Sequence, residues 1–157
     1  MTEELISYKT AILAKKKGFC SFAEEQLKYN DCIVNEAYIE GKLKYDEDGF
    51  RIKNLVYENN SITPTEGKYT RNSLVEACSQ SLLQRWLREE HKIYVMVEPV
   101  LEGGISTKLY KQTNVIYELN VFTHDDNVEI SKAEQVKYNT YEKCLEAGLL
   151  GGLKLIE

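Results

Sequence analysis

Only two of the 157 residues are proline and nine are glycine, which leaves little room for a flexible linker or a low-complexity tract. No apolar run approaches the roughly 18 residues of a membrane span. Met1-Thr2-Glu3-Glu4 lacks the basic opening of a secretory leader. The four cysteines, Cys20, Cys32, Cys78 and Cys144, include no Cys-x-x-Cys pair, and His91 and His124 have no ligand partner at metal spacing. Free thiols and no metal are therefore expected, with Cys78 and Cys144 as small buried hydrophobes in helical patterns. Gly-x-x-x-x-Gly-Lys, Gly-x-Gly-x-x-Gly, Gly-x-Ser-x-Gly and His-x-x-x-His are all missing, so the phosphate-cradling loops, the nucleophile turn and the zinc-binding helix they encode are not signalled. An excess of positive charge is missing too. Twenty Lys and Arg stand against 25 Asp and Glu, a net of −5, which disfavours binding to a phosphate backbone. No catalytic residue and no cofactor is assigned, and no enzyme is expected.

What is present is an ordinary globular composition, 43% hydrophobic and 29% charged. It predicts one α+β domain over residues 1–157, with an antiparallel sheet of about four to six strands packed by a central Trp-containing helix and a C-terminal helix. Ser7 caps a first helix that ends in Lys15, Lys16, Lys17 and Gly18, with cations at the negative end of the dipole and glycine at C′. Residues 20–29 fit a second, short helix with Phe22 and Leu27 inward. Strand character runs from 32 to 57. Within it, 42–45 and 50–53 flank Asp46-Glu47-Asp48-Gly49, a hairpin tip with a type I turn and glycine in the left-handed position. Residues 58–72 read as a polar loop.

The strongest helix spans 79–91, beginning near Ser73, with Leu82, Leu83, Trp86 and Leu87 as its apolar stripe. Four strands follow, at 93–101, 105–112, 115–123 and 128–138, with Gly103-Gly104 and His124-Asp125-Asp126-Asn127 as turns. Residues 93–97 are apolar on both faces, which predicts a central strand covered on both sides or one near an interface. Asn139 caps a last helix whose inner stripe is Tyr141, Leu145, Gly148, Leu149, Gly152, Leu153 and Ile156. Glycine on a buried helix stripe costs roughly 1 kcal/mol in propensity, so close approach to a sheet or helix is expected there.

Helix, strands and helix over residues 73–157 also suggest the double-stranded-RNA-binding arrangement. Those residues carry nine basic and thirteen acidic side chains, and the last helix opens without the lysine cluster that phosphates require. The nucleic-acid reading falls on that charge. The most distinctive polar feature is a stripe on the outer face of the Trp86 helix, Gln80, Gln84, Arg88 and His91, with Arg85 placed to pair with Glu89. A row of planar donors suits an anion, a nucleotide or a partner's carboxylate. Eleven tyrosines, against four phenylalanines, favour a half-wet binding or self-associating sheet.

The run Ser79-Gln80-Ser81-Leu82-Leu83-Gln84-Arg85-Trp86-Leu87-Arg88-Glu89-Glu90-His91 resembles the signature of small proteins from bacteriophages and mobile elements of gut Bacteroidetes. The opening Tyr8-Lys9-Thr10-Ala11-Ile12-Leu13-Ala14-Lys15-Lys16-Lys17-Gly18-Phe19 and the closing Thr140-Tyr141-Glu142-Lys143-Cys144-Leu145-Glu146-Ala147-Gly148-Leu149 are similar to that group's end pieces. A longer insert around 30–70 departs from its shorter members. The resemblance implies a cytoplasmic, prokaryotic or phage-infected setting and brings no catalytic residue. The expected function is a non-catalytic binding or regulatory module engaging a host protein or itself. The alternative is a small-ligand protein that sequesters a signalling nucleotide, for instance on Arg85, Arg88, His91 and the strand tyrosines; the ligand- or partner-binding candidates are Gln80, Gln84, Arg85, Arg88 and His91. No membrane and no nucleic-acid partner is expected.

Overall fold

A computed structural model describes residues 4–19, 32–34, 36–58, 61–63, 65, 67–69, 73–101, 115–123 and 136–157. The fold is α+β. Among the described residues its strands form three small antiparallel sheets, of three, three and two strands. The contacts group the chain into two compact units, Leu5–Ser79, and Gln80–Glu157 together with Met1–Glu4.

In the N-terminal unit, α1 (Tyr8–Lys16) begins where the Ser7 hydroxyl accepts from the Thr10 N–H at 3.3 Å. It ends in a Schellman motif. The Phe19 N–H reaches the Ala14 carbonyl at 2.9 Å and the Gly18 N–H reaches Lys15 at 3.2 Å. Phe19 is buried behind that turn. Both sequence signals, the serine and the glycine, therefore sit where local geometry needs them. The expected helix at 20–29 lies outside the described residues.

Six short strands follow: β1 (Cys32–Val34), β2 (Ala37–Ile39), β3 (Lys42–Leu43), β4 (Leu55–Glu58), β5 (Ser61–Thr63) and β6 (Leu74–Glu76). The sheets are ordered β1-β4-β5 and β3-β2-β6. Two expectations change here. The polar loop over 58–72 contains β5, whose Ile62 is wholly buried. The segment 73–78, expected as the start of a helix, holds β6, which pairs with β2. Ala37, Ile39, Leu55, Tyr57, Ile62 and Leu74 form one apolar cluster from both sheets. Burying those side chains outweighs the local preference of Leu74-Val75-Glu76 for either state.

The tip at 46–49 forms as expected, although only 42–43 of its flanks is a strand. The Gly49 N–H bonds Asp46 O at 3.1 Å, Gly49 has φ +83°, and Tyr45 bridges Arg51. Asp46 Oδ1 accepts from the N–H groups of Asp48 and Phe50 at 3.0 and 2.8 Å. The arm beyond the tip is anchored by Glu36, buried and 3.3 Å from Arg51 and 3.4 Å from Lys53. Glu36→Gln keeps the volume but removes the charge both cations face. Because Arg51 and Lys53 are partly solvated, the loss is expected to be about 1 kcal/mol in denaturant unfolding. An unchanged midpoint refutes that anchoring role.

In the C-terminal unit, α2 (Gln80–His91), β7 (Ile93–Leu101), β8 (Val115–Thr123) and α3 (Tyr141–Leu155) make a hairpin backed by two helices. β7 pairs with β8 along its whole length, Ile93 opposite Thr123 and Leu101 opposite Val115. The bounds of both strands match the sequence reading. The strand at 105–112, the turns at 103–104 and 124–127, and most of 128–138 lie outside the described residues. The end of that last run is visible, where Tyr138 bridges Tyr117.

Helix α3 is capped by Thr140, not Asn139. Its hydroxyl accepts from the Lys143 N–H at 3.3 Å, so the cap lies one residue later than expected. Leu145, Gly148, Leu149, Gly152 and Leu153 are buried as predicted and Cys144 joins them, whereas Tyr141 is exposed, edge-on to Tyr117. The close approach expected of the glycines is real. A Cβ on Gly148 would lie 2.4 Å from Val95 Cγ1 and 2.5 Å from Leu119 Cδ1.

The fully buried Cys144 thiol is pushed up from 9.0 to about 11 by its burial. The Tyr138 phenol is also raised, first by burial and then by the neighbouring Cys144 charge. Between pH 9 and about 11 the unfolded thiol has released its proton and the folded one has not. The folded state then binds more protons, so this group's contribution is intact below pH 9 and stability falls as pH rises through that window. Unfolding midpoints measured across the window should drop, and Cys144→Ala should flatten the drop. An equally steep Cys144→Ala profile removes Cys144 as the cause.

Candidate partner-binding surface

The five candidate residues all lie on α2, and the structure divides them. Leu83 and Leu87 are wholly buried and set the inward direction of the helix, while Trp86 and Leu82 are only half-buried. Gln80 and Gln84 are not on an outer face. Gln80 is buried, and its Nε2 donates to the Glu142 carbonyl at 3.1 Å and to Glu146 Oε2 at 3.2 Å, tying α2 to α3. Gln84 Nε2 donates to the Val95 carbonyl at 2.7 Å. Arg85 and Arg88 are exposed; His91 is half-buried with its ring edge-on to Trp86 at 4.4 Å. Glu89, expected beside Arg85, is 3.7 Å from Arg88. Arg88 and His91 also lie in the last turn of α2, where cations complement the helix dipole.

The Gln84 bond has a topological reason. Tyr117 and Tyr138 exchange both backbone bonds, at 2.9 and 3.2 Å. Tyr117 thus points its N–H and C=O away from β7, and so does every second residue of β8. Their partners in β7, including Val95 and Pro99, must then direct their backbone groups to the opposite edge of the hairpin. Proline, which has no N–H to offer, is at home at such an edge. Gln84 supplies the donor that Val95 needs there.

The same register assigns the two faces of the hairpin. Ile93, Val95, Leu119 and Val121 face the helices, since Gly148 and Gly152 abut Ile93, Val95 and Leu119. Tyr94, Met96 and Glu98 share the other face with Phe122, Asn120 and Glu118. Tyr94 and Phe122 stack with ring centres 5.2 Å apart and planes 7° from parallel. Met96 is 44% exposed. Of the two expectations for 93–97, cover on both sides fails at Met96, since the helices pack on one face only. Nothing in the one-letter pattern separates a doubly covered strand from one with an exposed apolar face.

The C-terminal unit is therefore an α+β helix–hairpin–helix layer whose other hairpin face is exposed at Met96, beside the half-buried Tyr94 and Phe122, and buried at Ile116. Among the described residues no group of three His, Cys, Asp or Glu could hold a metal ion, and no helix is long and apolar enough to cross a membrane. Compared with protein-family models, curated proteins and solved structures, the chain matches none.

Proposed function

We propose that the chain is a non-catalytic binding module that engages a protein partner on the outward face of the β7–β8 hairpin. The observation that carries this is Met96, exposed beside the stacked Tyr94 and Phe122 on the face turned from both helices. Methionine and aromatic side chains are the residues that interface centres favour, and exposed apolar patches mark such surfaces. The resemblance of the α2 signature to small phage and mobile-element proteins favours a host protein over a second copy. A photocrosslinking residue at position 96, with position 154 as control, identifies the partner in cells. With the purified pair, Tyr94→Ala combined with Met96→Ala should weaken binding about tenfold or more. An unchanged Kd with both side chains removed overturns this face as the site. A concentration-dependent dimer dissolved by Met96→Lys would make the partner a second copy.

The second reading, a small anionic ligand, rests on the exposed Arg85 and Arg88 with His91, since Gln80 and Gln84 spend their donors inside the fold. A thermal-shift screen with nucleotides separates the two. A shift of several degrees that disappears in Arg88→Ala would favour the ligand.

A further inference from the structure

We infer that the partner segment seated on the β7–β8 face is basic as well as apolar, with a Lys or Arg meeting Glu98 and Glu118. This rests on the reading that the face is a docking surface. Glu98 and Glu118 are direct cross-strand partners on the same face as Tyr94, Met96 and Phe122. Because Tyr117 points its backbone away from β7, the alternate pair Glu98–Glu118 is a hydrogen-bonded one, with Cα atoms about 5.5 Å apart. Like charges directly opposed in this way destabilise a sheet. Among the described residues the ion pairs are Glu36 with Arg51 and Lys53, and Arg88 with Glu89, so neither hairpin carboxylate is met by a cation.

The face therefore reads along the strands as an aromatic stack, a methionine and asparagine step, and a pair of carboxylates that no cation among the described residues meets. From Tyr94 to Glu98 the span is roughly 14 Å at a strand's rise per residue. An extended segment of four or five residues covers that length, with apolar side chains over Tyr94, Phe122 and Met96. Its cation lies at the Glu98 end, where it offsets the repulsion between the two opposed carboxylates. A partner acidic at that point would add to the repulsion, so the pair also selects by exclusion.

The probe is a random linear peptide library displayed on phage and panned against the full chain, followed by synthesis of the enriched peptides. Enriched peptides should carry Lys or Arg beside aromatic or aliphatic residues. Their affinity should fall with added salt and drop about tenfold in the Glu98→Gln, Glu118→Gln double variant, a loss of about 1.4 kcal/mol. Tyr94→Ala should weaken the same peptides. Peptides that need Tyr94 and Met96 but ignore both glutamates would overturn the basic partner and leave the face standing. Peptides indifferent to Tyr94, Met96 and both glutamates would overturn the face as well. A library that yields no binder overturns the inference that a short basic segment is recognised. The glutamine variants keep size and hydrogen bonding, and circular dichroism of each confirms that the fold persists.

Discussion

Gly148→Ala should lower the stability of the C-terminal unit by about 1–3 kcal/mol, although alanine is the better helix former. A new methyl would lie 2.4 Å from Val95 Cγ1 and 2.5 Å from Leu119 Cδ1, far inside van der Waals contact. Leu119 is half-buried and can swing its methyl aside. Val95 is buried and β-branched, so its χ1 has little freedom to yield. The helix must therefore lift from the hairpin, which also strains the Leu149 and Leu153 contacts. Gly151 is the control on the same helix, because a Cβ there meets nothing within 4 Å. Gly151→Ala should raise stability by about 0.5–1 kcal/mol through helix propensity and reduced unfolded-state freedom. Denaturant unfolding of the two variants checks both signs. A Gly148→Ala protein as stable as the parent would mean that the α3–hairpin approach is looser than the described distances.

Gln84→Ala should cost about 1–2 kcal/mol, because the Val95 carbonyl is left at a buried edge without its donor. The same substitution uncovers backbone groups that can template pairing with another chain, so thermal unfolding should become concentration-dependent. Arg85→Ala, next along the helix and exposed, should stay within about 0.5 kcal/mol of the parent. If Gln84→Ala behaves like Arg85→Ala, the glutamine is a surface donor after all and returns to the candidate ligand stripe.

Much of the local structure was legible because its causes are local. Ser7, Gly18 and the Asp46–Gly49 turn act on backbone groups within a few residues, and each does what its chemistry predicts. Leu83 and Leu87 recur at the helical period and are buried. The long apolar runs of β7 and β8 exceed any turn signal around them. Shorter elements were not legible. Ser61-Ile62-Thr63 holds one apolar residue, too few to show a period, and becomes a strand because Ile62 enters a core built by distant residues. Leu74–Glu76 joins β2 across more than thirty positions.

The candidate site shows the same division. Helical spacing placed Gln80, Gln84, Arg88 and His91 on one stripe, and that stripe runs along the flank of the buried face. Spacing states which residues share a direction; it does not state what lies in that direction. Gln80 and Gln84 meet acceptors on α3 and β7, and Arg88 stays exposed beside Glu89, because packing of the two helices on the hairpin decides which part of the stripe is covered. The sequence by itself determined the three described helices, the β7 and β8 strands and the need for glycine on α3. Only the tertiary structure decided which polar side chains are spent inside and which apolar face of β7–β8 is left outside. Backbone preferences are set by neighbours in the chain, whereas burial is set by neighbours in space.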